Sequence, residues 1–181
     1  MNTKAYTMKD TCKFSKEGTQ QIINYLYRRP DILDIVNVED NEEYRKKDID
    51  LLWRRLKNNV EMVHTVEIKV DNYFNSGNYF FETISNMTRN TPGCFMYSEA
   101  EYFFYYFPKK ELHVISLKMV REWFIQNIEQ FAIKNGCTAV GDGFYKSEGR
   151  LVPRSLVRKA LPPEAVRIIP YNAQTWGDAV H

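Results

Sequence analysis

Asp48-Ile49-Asp50-Leu51-Leu52-Trp53 and, beyond a polar gap, Val66-Glu67-Ile68-Lys69-Val70 are short apolar runs threaded with charged residues. Successive side chains of an extended strand point to opposite faces of a sheet. Read as a strand, the second run turns Val66, Ile68 and Val70 toward a core and projects Glu67, Lys69 and Asp71 together from the other side. The same alternation places Asp48 and Asp50 side by side on the first run. Neighbouring strands that share a surface of acids and one lysine set the frame for the rest of the chain.

Upstream, residues 15–28 carry Ile22, Ile23, Tyr25, Leu26 and Tyr27 at near-helical spacing, with Ser15 as the expected N-cap and Arg29-Pro30 as the stop. Residues 32–38 read as a first strand, a charged stretch follows, and 54–59 read as a hairpin turn between the two acid-bearing strands. Downstream, 79–85 and 112–115 read as further strands. The aromatic cluster of Tyr97 and residues 102–107, closed by Pro108, reads as a core element, with base stacking as the lesser alternative. Ser116 is expected to cap a long amphipathic helix through Leu117, Val120, Trp123, Phe124, Ile128 and Phe131 that stops at Asn135-Gly136. Helix, strands and helix in this order predict an α/β fold, a mixed central sheet flanked by helices. Residues 1–140 form the expected core. After Gly141-Asp142-Gly143, the segment 141–181 is expected to be a basic C-terminal extension packed on that core.

The shared face has a specific chemistry. A hard divalent cation such as Mg2+ or Mn2+ takes oxygen ligands, keeps several waters and needs only one or two protein carboxylates beside a substrate phosphate. Asp50 and Glu67 are the candidate ligands, and the Ile68 carbonyl can reach the same ion. The Lys69 ammonium can orient an attacking water and offset charge in a phosphoryl transition state. Asp48, Asp71 and Glu82 are secondary candidates, each equally readable as the polar end or edge of a strand.

With these residues in place, the chain resembles the PD-(D/E)xK nuclease superfamily, whose members are restriction-endonuclease-like and Holliday-junction-resolvase-like. Asp50 matches the acid of the first half-motif and Glu67-Ile68-Lys69 the second. Ile49 stands where the name-giving proline would be. The stretches Gly77 to Ser85, Thr91-Pro92-Gly93-Cys94-Phe95 and Ser98 to Tyr102, with Tyr105, are similar to the segment after the catalytic strand in small nucleases of phages and mobile elements. Glu101 stands where an aspartate is more usual. The resemblance implies a restriction-endonuclease-like core and a Mg2+- or Mn2+-dependent nuclease, acting on DNA before RNA. In that superfamily the first helix often adds a carboxylate; Glu17 is the one available here, although an acid at a helix start is also favoured by the helix dipole.

Composition fits this expectation without demanding it. With 181 residues, 44% of them apolar and 14% aromatic, the chain can bury one sizeable core. A net charge of +2 neither requires nor excludes nucleic acid, so the distribution matters more. Acids dominate residues 31–50, whereas Lys146, Arg150, Arg154, Arg158 and Lys159 cluster late and form either a phosphate-contacting arm or a solvated surface. The three cysteines, Cys12, Cys94 and Cys137, lack zinc-site spacing and read as reduced thiols. His64, His113 and His181 are too scattered for a histidine metal site or a triad. No phosphate-loop signature, membrane-length apolar run or signal-peptide core occurs, and the expectation is a cytoplasmic protein that meets no membrane. Cutting both strands of a duplex would suit a homodimer. The alternative is a catalytically inactive nucleic-acid-binding or inhibitory protein of phage or plasmid origin on the same fold.

Overall fold

Strand alternation governs the central runs, and the computed structural model shows how. It describes residues 8–140 and 143–176. Helix α1 (Met8–Tyr27) is followed by β1 (Ile32–Asn37), α2 (Glu42–Lys46), β2 (Leu51–Lys57) and β3 (Val60–Val70). Then come β4 (Asn78–Asn86), β5 (Thr91–Pro92), α3 (Cys94–Tyr97), β6 (Tyr102–Phe107), β7 (Glu111–Ser116) and α4 (Leu117–Asn127). The chain continues as β8 (Ala132–Val140), β9 (Gly143–Pro153), α5 (Arg154–Ala160), β10 (Val166–Pro170) and α6 (Ala173–Trp176).

A six-stranded mixed sheet has the order β1-β2-β3-β6-β7-β10. The β2–β3 hairpin turns on Asn58 and Asn59 at φ 52° and 60°, a left-handed pair that asparagine tolerates better than most residues. β3 and β6 run parallel, with Glu67 opposite Phe103 and Lys69 opposite Tyr105. Parallel neighbours need a crossover connection. Here the connection builds β4, β5 and α3, and β4 joins a second, four-stranded antiparallel sheet of order β5-β4-β9-β8.

The two faces of the large sheet therefore meet different partners. On one, Leu51, Trp53, Val66, Ile68, Phe104 and Tyr106 pack with Ile22, Tyr25 and Leu26 of α1 and with Trp176 of α6. On the other, Phe103, Tyr105 and Phe107 pack with Tyr79 and Phe81 of β4, Phe95 of α3 and Phe124 of α4. Covered on both sides, β6 needs no polar alternation, which explains its unbroken aromatic run. Those aromatics are core, leaving Tyr97 the exposed ring of the cluster.

Several boundaries differ from expectation. Helix α1 starts well before Ser15, which lies inside it. Ser116 occupies the N-cap of α4, yet its side chain makes no capping bond. α4 ends at Asn127, and Asn135-Gly136 is not a helix stop: it lies within β8, opposite Glu148 and Ser147. A Cβ at Gly136 would approach the Ser147 hydroxyl on β9. The segment expected as an extension supplies a strand to each sheet, β9 between β4 and β8 and β10 against β7; Gly141 and Asp142 lie outside the described residues. No helix among the described residues is long and apolar enough to cross a membrane.

Phe95 anchors α3. Fully buried, it stacks on Phe81 with ring centroids 3.7 Å apart and meets Phe103 and Phe124 edge-on. Phe95→Ala is expected to cost about 3–5 kcal/mol in urea unfolding; a cost near zero would mean that α3 does not depend on this packing.

Candidate metal centre

Backbone pairing sets the acids in place. The Asp50 N–H donates to the Val66 carbonyl at 2.8 Å, and the Asp50 carbonyl accepts from the Val38 N–H at 2.8 Å, so Asp50 sits where β2 opens beside β3. Its Oδ2 accepts the Ile68 N–H at 2.8 Å. Asp48 adopts a left-handed φ of 54°. It is held there by the Ser98 hydroxyl, which donates to its carbonyl at 2.8 Å, and by the Tyr97 hydroxyl, which donates to Oδ1 at 3.0 Å. Arg121 of α4 fastens the same loop by donating to the carbonyls of Phe95 and Ser98 at 2.8 and 2.7 Å.

Cys94 arrives from the crossover. The Gly93 N–H donates to the Thr83 carbonyl at 2.9 Å, and a Cβ on Gly93 would run into the Glu82 backbone. Only glycine lets α3 lie this close to β4. One ligand atom each from Asp48, Glu67 and Cys94 then falls within 4.8 Å of the others.

Burial dominates the electrostatics. Desolvation raises the Glu67 carboxyl well above the usual range, and the charges of Asp50 and Asp48 push it the same way. Desolvation likewise raises Asp50 to about 6, against the opposing Ile68 hydrogen bond. Asp50 and Glu67 act on each other electrostatically, so the two carboxyls titrate as a pair. Asp48 is also raised, by burial first. At Lys69 burial acts to lower the ammonium's pKa, but Cys94, Glu82, Asp71 and Glu67 outweigh it, and the net shift is upward. Burial pushes the Cys94 thiol well up.

Asp48 Oδ2 and Glu67 Oε2 are both buried without a hydrogen-bond partner. Buried polar atoms are nearly always paired, and an orphan carries a desolvation cost. Two orphaned carboxylate oxygens in one cluster, with Asp50 alongside, are the donor set that a hard divalent cation takes. The residues present fit such an ion.

Of the expected site residues, Asp50, Glu67 and Lys69 come together, and Asp48 joins them. Ile68 meets Asp50 through its N–H. Glu82 acts electrostatically on both Asp48 and Lys69. Asp71 is engaged by the Tyr105 hydroxyl and by the Tyr73 N–H at 2.6 Å. Glu17 is exposed, 3.9 Å from Lys13, on the helix that packs against the opposite face of the sheet. Among the basic residues, Lys146, Arg158 and Lys159 are exposed. Arg150 instead donates to the Phe131 carbonyl at 3.0 Å, and Arg154 lies 4.4 and 4.7 Å over the rings of Phe74 and Phe107. His64 is structural: its Nδ1–H donates to Glu101 at 2.6 Å while Nε2 accepts from Arg55 at 3.2 Å. This gives Glu101 a role on the face away from the acids. Sequence reasoning missed Cys94 and Tyr97 as neighbours of the acids. Pro92-Gly93-Cys94, a thiol straight after a turn, was the available signal.

Comparison with protein-family models, curated proteins and solved structures finds no match.

The raised carboxyls fix a sign for pH dependence in the cation-free protein. The folded state holds protons on Asp50 and Glu67 that the unfolded chain has released, so their contribution to stability falls as pH rises from the ordinary 3.8 of Asp50 through about 6 and beyond. For Asp50 alone the loss is on the order of 3 kcal/mol. Denaturant unfolding in chelator should therefore show Asp50→Asn gaining stability relative to wild type as pH rises through this window; a constant or shrinking difference would contradict the assignment.

Proposed function

We propose that this chain is a metal-dependent nuclease with a restriction-endonuclease-like core, hydrolysing phosphodiester bonds in nucleic acid, with DNA as its first substrate. The observation that carries the reading is the cluster in which Asp50 and Asp48, at and before the start of β2, meet Glu67 and Lys69 of β3, with two buried carboxylate oxygens left unpaired. Support also comes from the order of elements: a helix, an antiparallel β1-β2-β3 meander and a parallel β6 beside the strand that carries Glu67 and Lys69.

Asp50 and Glu67 would hold Mg2+ or Mn2+, with Asp48 adding a third carboxylate. The bound cation would supply Lewis acidity toward a phosphate oxygen and lower the pKa of a water. The Lys69 pKa is shifted upward on balance, because Cys94 and the acids Glu82, Asp71 and Glu67 outweigh its burial. Its ammonium, fixed on β3 beside Glu67, orients the nucleophile and offsets negative charge that grows in the transition state. Lys146, Arg158 and Lys159 are exposed and can pair with backbone phosphates, whereas Arg150 and Arg154 serve mainly as internal struts.

The test is cleavage of labelled duplex, single-stranded and branched DNA and of RNA, with Mg2+, Mn2+ or chelator. Wild type should cut only with the cation, and Lys69→Ala should lose about 100- to 1,000-fold in rate while keeping its fold by circular dichroism. Wild-type cleavage by the mutant, or no metal-dependent cleavage by the wild type, would sink the assignment.

A further inference from the structure

We propose that the same centre is also a binding site for a thiophilic divalent cation of the Zn2+ and Cd2+ class, held by Asp48, Glu67 and the Cys94 sulfur. The inference rests on the reading of this cluster as a cation site and adds the ion class that can displace Mg2+ or Mn2+ from it.

The hard cations already discussed gain little from a thiol, so Cys94 has no part in their binding. Softer ions gain most from sulfur, and a tetrahedral site needs only three protein ligands, leaving its fourth position to water or substrate. The three ligand atoms are already gathered within 4.8 Å of one another, and the two carboxylates contribute the buried oxygens that have no other partner. Rigid elements fix them: Glu67 on β3, Asp48 pinned by Tyr97 and Ser98, and Cys94 at the start of α3, which Phe95 anchors in the core.

The exchange balances in protons and charge. The entering cation takes the place of the thiol proton; the S–H bond breaks, a metal–sulfur bond forms, and the proton leaves to buffer. Any proton on Glu67 leaves in the same way. Asp50 and Glu82 add negative charge around the ion, and Lys69 and Arg121 add positive charge. No oxidant or reductant takes part. Zn2+ held in this way would occupy the carboxylates that the hydrolytic cation requires, making the nuclease reaction sensitive to thiophilic metals.

Titration of the full-length, metal-free protein with Cd2+, followed by the ultraviolet thiolate-to-metal charge-transfer band, tests this directly. The background is Cys12→Ser/Cys137→Ser, which removes the two exposed thiols. A band that saturates at one equivalent is expected. Adding Cys94→Ser should abolish the band and lower Cd2+ affinity at least about tenfold more than Mn2+ affinity. Asp48→Asn keeps the thiol and should weaken Cd2+ binding, so the proposal remains testable if Cys94→Ser does not fold. Absence of the band while Mn2+ still binds would overturn this inference and leave the nuclease reading intact. Failure of both ions to bind would overturn both.

Discussion

β3 runs parallel to β6, so the chain between them has to cross one face of the large sheet, and it crosses the face that carries Glu67 and Lys69. That crossover lays β4 and α3 over charged side chains that would otherwise lie open to water. The site follows from this cover. Desolvation raises the carboxyls, Cys94 and the enclosed acids together shift Lys69 upward, and Cys94 is delivered to a cluster far from it in sequence.

Burying several acids together is unfavourable unless something compensates. In this protein part of the compensation is internal: the Ile68 N–H on Asp50, the Tyr97 hydroxyl on Asp48 and the ammonium of Lys69. It is incomplete, because one oxygen each of Asp48 and Glu67 has no partner. A divalent cation would complete it. The aromatic core around Phe81, Phe95 and Phe103 supplies packing that makes so costly an arrangement tolerable.

The acid face of residues 66–71 could be read directly from the sequence, because strand alternation is a local rule and β3 obeys it. The pairing of Asp50 with that strand was legible for the same reason, as was the core character of the residue 102–107 run. What escaped depends on distant pairing. Cys94 belongs to the site only through the close approach of Gly93 to Glu82, which no local pattern reports. Asn135-Gly136 looked like a helix end but was recruited into β8 by its partner β9. Arg150 and Arg154 looked like free cations, because composition counts charges and not the carbonyl and ring faces that occupy them. Glu17 reads as the start of the first helix, but α1 begins at Met8, leaving Glu17 in mid-helix, and packs against the opposite face of the sheet.

A divalent cation bound by Glu67 and its neighbours would displace protons from the raised carboxyls. Calorimetric titration of Mn2+ in two buffers of different ionisation enthalpy addresses it most directly. One ion per chain with net proton release is expected, and loss of both binding and proton release in Glu67→Gln. Absence of Mn2+ binding, or unchanged binding and proton release in Glu67→Gln, would contradict it.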